Sequence, residues 1–290
     1  MTTFNRLNRH MPGYNRITVS PIAGALGAEI SGLQLADLDD DTVGELRSAW
    51  LEYLVVFFHD QELNPDQFLL FSQRIGVPVP YPFVPGIEGY PEIIEVKKLP
   101  HETVNFGGIW HSDTTYLDQP PMATMLIARE IPPFGGDTLF ANMYAAFETL
   151  SPAMQTLLEP LRGVSSSSLA DVSKTREDRI KDSNGNESAP KSYEALHPIV
   201  RTHPETGRKA LYCNVAHTVR FDGMTDDESR PLLQFLFQHQ IKPELTCRFR
   251  WEVGSLALWD NRCAMHNPVN DYHGYKRLMH RITLQGDTPR

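Results

Sequence analysis

The chain has 290 residues, 41% of them hydrophobic and 22% charged, which is typical of a globular protein with a sizeable buried core. Its formal net charge of −9, without a basic run, argues against a surface that follows the phosphates of nucleic acid, although a local anion site remains compatible with it. The three cysteines are too few and too scattered for a disulfide framework, which favours a reducing compartment.

No membrane or secretion signal is evident in the sequence. The N-terminal residues lack the apolar run of a secretory signal, and no stretch approaches the roughly 20 apolar residues that cross a bilayer. We therefore expect a cytoplasmic protein that contacts neither membrane nor nucleic acid. Because no internal repeat or linker interrupts the sequence, residues 1–290 are predicted to form a single domain.

Short β-like runs dominate the chain and are bounded by Gly, Pro, Asp or Asn. In chain order, the predicted strands are Ile17–Ser20, Val55–Phe58, Glu92–Val96, Ala123–Ala128, His197–Thr202, Leu245–Trp251, Ser255–Trp259 and Arg277–Leu284. Apolar residues at helical spacing predict helices at Asp41–Tyr53, Pro65–Arg74, Pro152–Leu161 and Asp226–Gln240. Strands around one core, with helices packed outside, predict a mainly β fold with flanking helices, a distorted jelly roll.

The segment Ser165–Glu194 has the weakest periodicity. It contains four successive serines, mixed charges and the turn signal Asn184–Asn186. A long polar segment inside a compact domain is uncommon, and two interpretations stay open: a flexible lid over an active site, or a surface insertion without a function.

The motif with chemical content is Trp110-His111-Ser112-Asp113. On a strand, His111 and Asp113 would point to the same face and could bind one metal ion, because side chains alternate with a period of two. One His-x-Asp triplet alone is weak evidence. Other histidines lack a ligand-like context and are interpreted as surface or core residues: His10, His59, His101, His203, His239 and His273.

The C-terminal half supplies the partners that such a metal site would need. A strand-like run beginning at Leu258 ends with His266, and Arg277 and Arg281 follow on one predicted strand. Because they are four residues apart, the two arginines face the same interior. A Gly-Gly turn before Thr138 leads into a further strand.

Taken together, these motifs resemble the taurine dioxygenase-like group of iron(II)/2-oxoglutarate-dependent oxygenases, which includes aryloxyalkanoate herbicide dioxygenases and alkylsulfatases. The matching segments are WHSD (110–113), PPMA (120–123), GGDTLFA (135–141), HPIVRTHPETGRKALY (197–212), WDNRCAMH (259–266), DY (271–272) and KRLMHR (276–281). They follow the family order across nearly the whole chain. The resemblance implies a double-stranded β-helix, use of O2, and oxidation coupled to decarboxylation of 2-oxoglutarate to succinate and CO2. The resemblance is also compatible with a homo-oligomer.

The resemblance assigns iron(II) to His111, Asp113 and His266. Two imidazoles and one carboxylate leave open positions on the metal, as expected for non-haem iron(II) oxygenases, and these suit a bidentate 2-keto acid and O2. The resemblance also implies that Arg277 and Thr138 hold the far carboxylate of 2-oxoglutarate. Arginine suits this role because its planar fork forms two parallel hydrogen bonds to a carboxylate.

Several expected taurine contacts are replaced in this sequence. Tyr81 and Val84 stand where taurine dioxygenase has its His and Tyr, Gly107 stands where it has Asn, and His217 replaces an aromatic residue. Their loss argues against taurine as the preferred substrate, since buried polar groups built for one ligand discriminate strongly. His217 is interpreted either as a hydrogen-bonding partner of the substrate or as a satisfied core histidine.

The corresponding family arginine suggests that Arg281 holds an anionic group of the substrate or, alternatively, supports the co-substrate. We expect a larger, partly aromatic or alkyl anion: a sulfonate, sulfate ester, aryloxyalkanoate or similar carboxylate. Trp251 and Trp259 are interpreted as walls of the site or as ordinary core residues. Two other function classes stay open, a zinc-dependent hydrolase and an inactive β-barrel binding protein.

Overall fold

A computed structural model of the chain describes residues 13–169 and 193–290. Its strands are β1 (Thr18–Pro21), β2 (Ala28–Ser31), β3 (Val55–Phe58), β4 (Pro78–Val79), β5 (Ile93–Lys98), β6 (Ala123–Glu130), β7 (Thr138–Asn142), β8 (Arg162–Ser166), β9 (Glu194–Pro198), β10 (Val200–Thr202), β11 (Lys209–Leu211), β12 (Thr218–Phe221), β13 (Thr246–Phe249), β14 (Leu256–Asp260), β15 (Ala264–Pro268) and β16 (Arg277–Leu284). The α-helices are α1 (Asp40–Tyr53), α2 (Pro65–Ile75), α3 (Met143–Glu148), α4 (Pro152–Leu158) and α5 (Asp226–Gln240). Most of segment 165–194, with its lid-or-insertion prediction, lies outside the described residues, as does His10.

Two facing sheets organise the fold. The larger has the strand order β1-β2-β3-β14-β6-β16-β4, with β5 also paired to β16. The smaller has the order β13-β7-β15, and two further small sheets, β12-β8-β9 and β10-β11, complete the described strands. The protein is therefore β-rich with few helices.

The centre of the larger sheet is buried on both faces. Every residue of Val55–Phe58 is buried, and successive side chains enter two different apolar clusters. Phe57 packs edge-on against Phe140 of the smaller sheet, while Phe58 packs against Phe71 of α2. Helices α1 and α2 thus cover one face, and the smaller sheet covers the other.

The helices begin where their capping residues predict. Asp39 caps α1 by accepting a hydrogen bond from the backbone N–H of Thr42. Asn64 and Gln67 form a capping box at α2, whose first residue is proline. None of the helices in the described part of the chain is long and apolar enough to span a membrane.

Most predicted elements are shifted by a residue or two at their ends, and two of them differ more. The helix predicted at Pro152–Leu161 ends at Leu158, because Pro160 has no backbone N–H and disfavours helical backbone in the residue before it. The strand predicted at His197–Thr202 is divided between β9 and β10. The break falls at Ile199, where the chain changes partner strand: its N–H bonds to the carbonyl of Leu161 beside β8, and its carbonyl accepts from the N–H of Tyr212 beside β11.

Candidate active site

His111 and His266 are adjacent because their backbones pair directly. They form an isolated antiparallel bridge, with N···O distances of 3.0 Å and 2.8 Å in the two directions. The bridge sets the two imidazole ring centroids 4.1 Å apart. Residues from distant parts of the sequence are therefore brought together by main-chain hydrogen bonds, which do not depend on the side chains.

Asp113 completes a buried cluster of three potential metal ligands. Its Oδ1 lies 3.7 Å from Nε2 of His111 and 3.9 Å from Nε2 of His266. The ligand atoms of the three residues all lie within 4.8 Å of one another, and all three residues are buried. The structure thus brings the predicted ligands around one point.

The route by which Asp113 reaches this point differs from the prediction. The backbone leaves the extended conformation after His111, and Asp113 lies in a turn rather than on a strand. The following residue, Thr114, has a φ of 42°, which is a rare, strained conformation for a β-branched residue. The turn is held by hydrogen bonds from Ser112 Oγ to the carbonyl of Ala264 and from the backbone of Leu117 to that of Thr114.

The protonation of both imidazoles suits metal binding. Nδ1 of His111 lies 2.7 Å from the carbonyl oxygen of Ile109, which only accepts, so Nδ1 donates and Nε2 keeps its lone pair. Burial lowers the pKa of His266 well below its ordinary value, so this ring is neutral near neutral pH. Its Nδ1 has no hydrogen-bond partner within residues 13–169 and 193–290.

Asp113 is held as a carboxylate. Burial would raise its pKa, but the positive charge of Arg281, with His266, His111 and the Thr124 hydroxyl, holds that pKa well below its usual value. Nη2 of Arg281 lies 3.0 Å from Oδ1. The carboxylate is therefore ionised near neutral pH and available as an anionic ligand.

Arg277 and Thr138 lie together in a second part of the site. Arg277 is buried, and its Nε and Nη2 have no hydrogen-bond partner among the described residues. The guanidinium lies beside the ring of Trp251, whose Nε1 donates to Oγ1 of Thr138 at 2.9 Å. Burial lowers the pKa of Arg277, yet arginine stays charged in proteins. Two unsatisfied parallel donors on a buried cation suit a carboxylate.

The Gly-Gly turn makes room for Arg277. Gly136 has a φ of 71°, and a Cβ there would lie 3.2 Å from Cδ1 of Tyr272 and 3.3 Å from Cδ of Arg277. Its backbone N–H donates to Asp271 Oδ1 at 2.7 Å. A residue other than glycine would therefore disturb both the turn and the arginine beside it.

Arg281 lies next to the ligand cluster. It shares the buried face of β16 with Arg277, as predicted. Its guanidinium carbon lies 4.9 Å from the ring centroid of Tyr81. Nε and Nη2 of Arg281 make no hydrogen bond within the described residues, although Nη2 forms the ion pair with Asp113. An anion at this position would meet a preformed positive charge.

A cavity opens beside the ligand cluster. The predicted residues Tyr81, Gly107 and His217 line it, together with His111 and Asp113. Its other lining residues are Phe106, Ile109, Thr114, Tyr116 and Ala216. Val84 does not line this cavity and lies half-buried in a neighbouring turn.

Tyr81 and Tyr116 line the cavity, and further aromatic side chains pack behind them. Tyr81 packs edge-on against Phe83, with ring centroids 5.4 Å apart, and Phe83 contacts Tyr116 and Tyr193 in the same manner. Tyr116 in turn packs against His217 at 4.9 Å. Of these residues, the sequence predicted roles for Tyr81 and His217, whereas Phe83, Tyr116 and Tyr193 were not predicted.

His217 is oriented by a polar contact behind it. Its Nδ1 lies 2.9 Å from Oγ1 of Thr115, which accepts a hydrogen bond from Nδ2 of Asn214. This contact fixes the orientation of the imidazole ring.

A second cluster of potential ligands, His203, Asp260 and Cys263, has a structural explanation. Arg262 donates to both carboxylate oxygens of Asp260, at 2.8 Å and 2.7 Å, and His203 lies 3.0 Å from the same carboxylate. Burial raises the pKa of Cys263, which keeps the thiol protonated. These groups satisfy one another, so the cluster anchors the segment that leads into β15.

Comparisons with known proteins are consistent with a metal site at this cluster. A family model described as taurine catabolism dioxygenase TauD, TfdA family, matches residues 18–283. The alpha-ketoglutarate-dependent sulfate ester dioxygenase of Pseudomonas putida is 35% identical over 282 residues, which cover 94% of this chain and 91% of that protein.

Two solved structures resemble this chain over most of its length. A taurine dioxygenase from Burkholderia xenovorans superposes with a TM-score of 0.80 at 34% identity, covering 95% of this chain and 93% of that one. The structure of AAD-2 in complex with Mn(II) and N-oxalylglycine has a TM-score of 0.77 at 27% identity, covering 94% and 98%.

Proposed function

Because the chain belongs to the TauD/TfdA family and is an α-ketoglutarate-dependent dioxygenase, we propose that it uses iron(II) at His111, Asp113 and His266 to hydroxylate a small organic anion. The proposal rests on one observation: two imidazole nitrogens and one carboxylate oxygen lie close together in a buried cluster. This donor set leaves positions on the metal for a co-substrate and O2. We also propose that the two facing sheets form a double-stranded β-helix and that residues 1–290 are one domain.

The residues present fit both the metal and the keto acid. Iron, when bound, supplies O2 activation, so that oxidation of a substrate C–H bond is coupled to decarboxylation of 2-oxoglutarate to succinate and CO2. Nε2 of both histidines and Oδ1 of Asp113 would hold it. The unsatisfied fork of Arg277, with the Thr138 hydroxyl beside it, would hold the distal carboxylate of 2-oxoglutarate.

The substrate is proposed to bind through Arg281. Its buried guanidinium lies at the ligand cluster and lacks full hydrogen bonding, so an anionic group would satisfy it. The wall that includes Tyr81 and Tyr116 would pack against the apolar body of the substrate. Sulfate esters, sulfonates and aryloxyalkanoates combine these two features. Hydroxylation of the carbon that bears the leaving group would yield a carbonyl and release that group.

Two alternatives suggested by sequence are disfavoured. A zinc hydrolase would have no use for the unsatisfied Arg277 fork beside Thr138, and an inactive binding protein would not require all three ligand residues. The family membership weighs against both.

The reaction class is tested without knowledge of the substrate. Iron(II) and 2-oxoglutarate are added to the purified protein under exclusion of O2, and the weak visible charge-transfer absorption of the chelate is recorded. We expect that band in the wild type and its loss in His266→Ala. Absence of the band from wild-type protein that is folded and contains iron would contradict the proposed site.

The substrate class is then tested by admitting O2 with alkyl sulfates, alkylsulfonates, aryloxyalkanoates and taurine in turn. Succinate and the released sulfate, sulfite or phenol are measured in each reaction. We expect stoichiometric succinate and leaving group with at least one of the larger anions. A clear preference for taurine would refute the proposed substrate assignment while leaving the reaction class intact.

A further inference from the structure

A hydrogen-bonded row of side chains ends at Oδ2 of Asp113, and its first member, Trp259, packs against the ring of His266 at 4.7 Å. Nε1 of Trp259 lies 3.0 Å from Oδ1 of Asn261. An indole N–H only donates, so the amide of Asn261 must turn its oxygen to Trp259. The backbone N–H of Asp113 points to the same oxygen, at 3.4 Å, and is also a donor. Both neighbours therefore fix the orientation of the amide.

The orientation passes along the row. With its oxygen toward Trp259, Asn261 presents Nδ2 to Oγ1 of Thr124 at 2.9 Å. The Thr124 oxygen accepts that hydrogen, so its own hydrogen goes to Oδ2 of Asp113 at 2.6 Å. The position of every hydrogen in the row thus follows from one indole that cannot accept.

The row is built into the larger sheet. Trp259 of β14 and Thr124 of β6 are direct partners in the antiparallel ladder. Asn261 follows β14, and its backbone N–H bonds to the carbonyl of Met122. Thr124, Trp259 and Asn261 are all buried, so water does not compete for these hydrogen bonds.

We propose that Trp259, Asn261 and Thr124 are positioning residues that make Asp113 a monodentate metal ligand. The proposal rests on the iron site proposed above. The Thr124 hydroxyl occupies Oδ2, while Oδ1 faces both histidine Nε2 atoms. A carboxylate that bound through both oxygens would occupy a further position on the metal, which a bidentate keto acid and O2 require. The row therefore keeps the metal open for its co-substrates.

The test replaces the hydroxyl of Thr124 and nothing else. Thr124→Val keeps the shape of the side chain and removes the donor, whereas Thr124→Ser keeps the donor. Affinity for Co²⁺ is measured by titration of its visible absorption, without 2-oxoglutarate or turnover. We expect about 10- to 100-fold weaker binding and an altered band in Thr124→Val, as for other residues that orient metal ligands. Thr124→Ser should stay within about threefold of the wild type and keep its spectrum.

A second variant covers the case in which Thr124→Val does not fold, as judged by thermal unfolding. Trp259→Phe keeps an aromatic ring in the core and removes the indole donor, together with part of the ring surface that packs against His266. It should weaken Co²⁺ binding and shift its band in the same direction. Wild-type affinity and spectrum in a folded Thr124→Val, or in Trp259→Phe if valine is not tolerated, would overturn the proposal. Failure of the wild type to bind Co²⁺ would refute the proposed iron site, and with it the positioning role. If the wild type binds Co²⁺ and the variants bind it equally well, only the positioning role is refuted.

Discussion

Replacing Gly107 by alanine should damage the metal site more than it damages the fold. Gly107 has a φ of 71°, and a Cβ there would lie 2.8 Å from Cε1 and 3.2 Å from Nε2 of His111. Carbon atoms pack comfortably at about 3.5–4.0 Å, so the imidazole would have to move by roughly 0.7 Å. The ring cannot move freely, because Nδ1 is bonded to Ile109 on one side and the ring of His266 lies on another.

A shift of that size exceeds what a metal site tolerates, since productive geometry is held within about 0.5 Å. We therefore expect Gly107→Ala to bind Co²⁺ or iron(II) at least about tenfold more weakly, as when other groups that orient metal ligands are lost. Gly32 provides the matched control: its φ is 85°, but a Cβ there meets nothing within 4 Å. Both variants should lose about 1–2 kcal/mol of unfolding free energy from the left-handed backbone.

The assay combines urea unfolding of the metal-free protein with metal titration of both variants. Similar losses of stability, with weaker metal binding in Gly107→Ala alone, are the expected result. Equal metal affinities in the two folded variants would refute the steric reasoning.

Three further predictions concern the co-substrate, the substrate and pH. Arg277→Lys should raise the KM for 2-oxoglutarate by about 10- to 100-fold because an ammonium lacks the planar fork; Arg248→Lys, at an exposed position, should leave it unchanged. Tyr81→Leu should lower the ratio of kcat/KM for aryl over alkyl anions by up to about tenfold, as expected from the loss of an aromatic pair, and an unchanged ratio would exclude its contact with the substrate. Burial lowers the pKa of His197 and of His239, so the folded chain binds fewer protons than the unfolded chain in acid. Their stabilising contribution is present above a pH of about 6.5 and should be lost as the pH falls below that value. Urea unfolding of the wild type and of the double glutamine variant measures this difference, and parallel pH profiles would contradict it.

The sequence predicted elements whose signal is local. Val55–Phe58 and Arg277–Leu284 have the predicted bounds because a short run of β-branched, aromatic and leucine residues between turn signals is sufficient to indicate a strand. Helix α3 was missed for the opposite reason. Met143–Phe147 is buried at every position, so it has no polar face and no amphipathic period to detect.

Site residues divide in a similar way. The ligand residues lie in motifs and were predicted, but the turn at Thr114 that brings Asp113 into position was not, because its positive φ is imposed by tertiary contacts rather than by a glycine. Trp251 and Trp259, left between pocket wall and core, are both buried hydrogen-bond donors, to Thr138 and Asn261 respectively. That function requires knowledge of which strands are neighbours, which no local pattern supplies.

The position of Arg281 also limits which carbon of a substrate can be oxidised. Its guanidinium lies 3.0 Å from Oδ1 of Asp113, so an anion that it binds lies close to the metal ligands. The reacting C–H bond must then be near the anionic group, at the carbon that bears it or the next one. We predict that a long alkyl sulfate is oxidised at this end, giving an aldehyde and free sulfate in equal amounts with succinate. Hydroxylation at the far end of the chain, detected by mass spectrometry of the intact ester, would show that Arg281 does not hold the anion during the reaction.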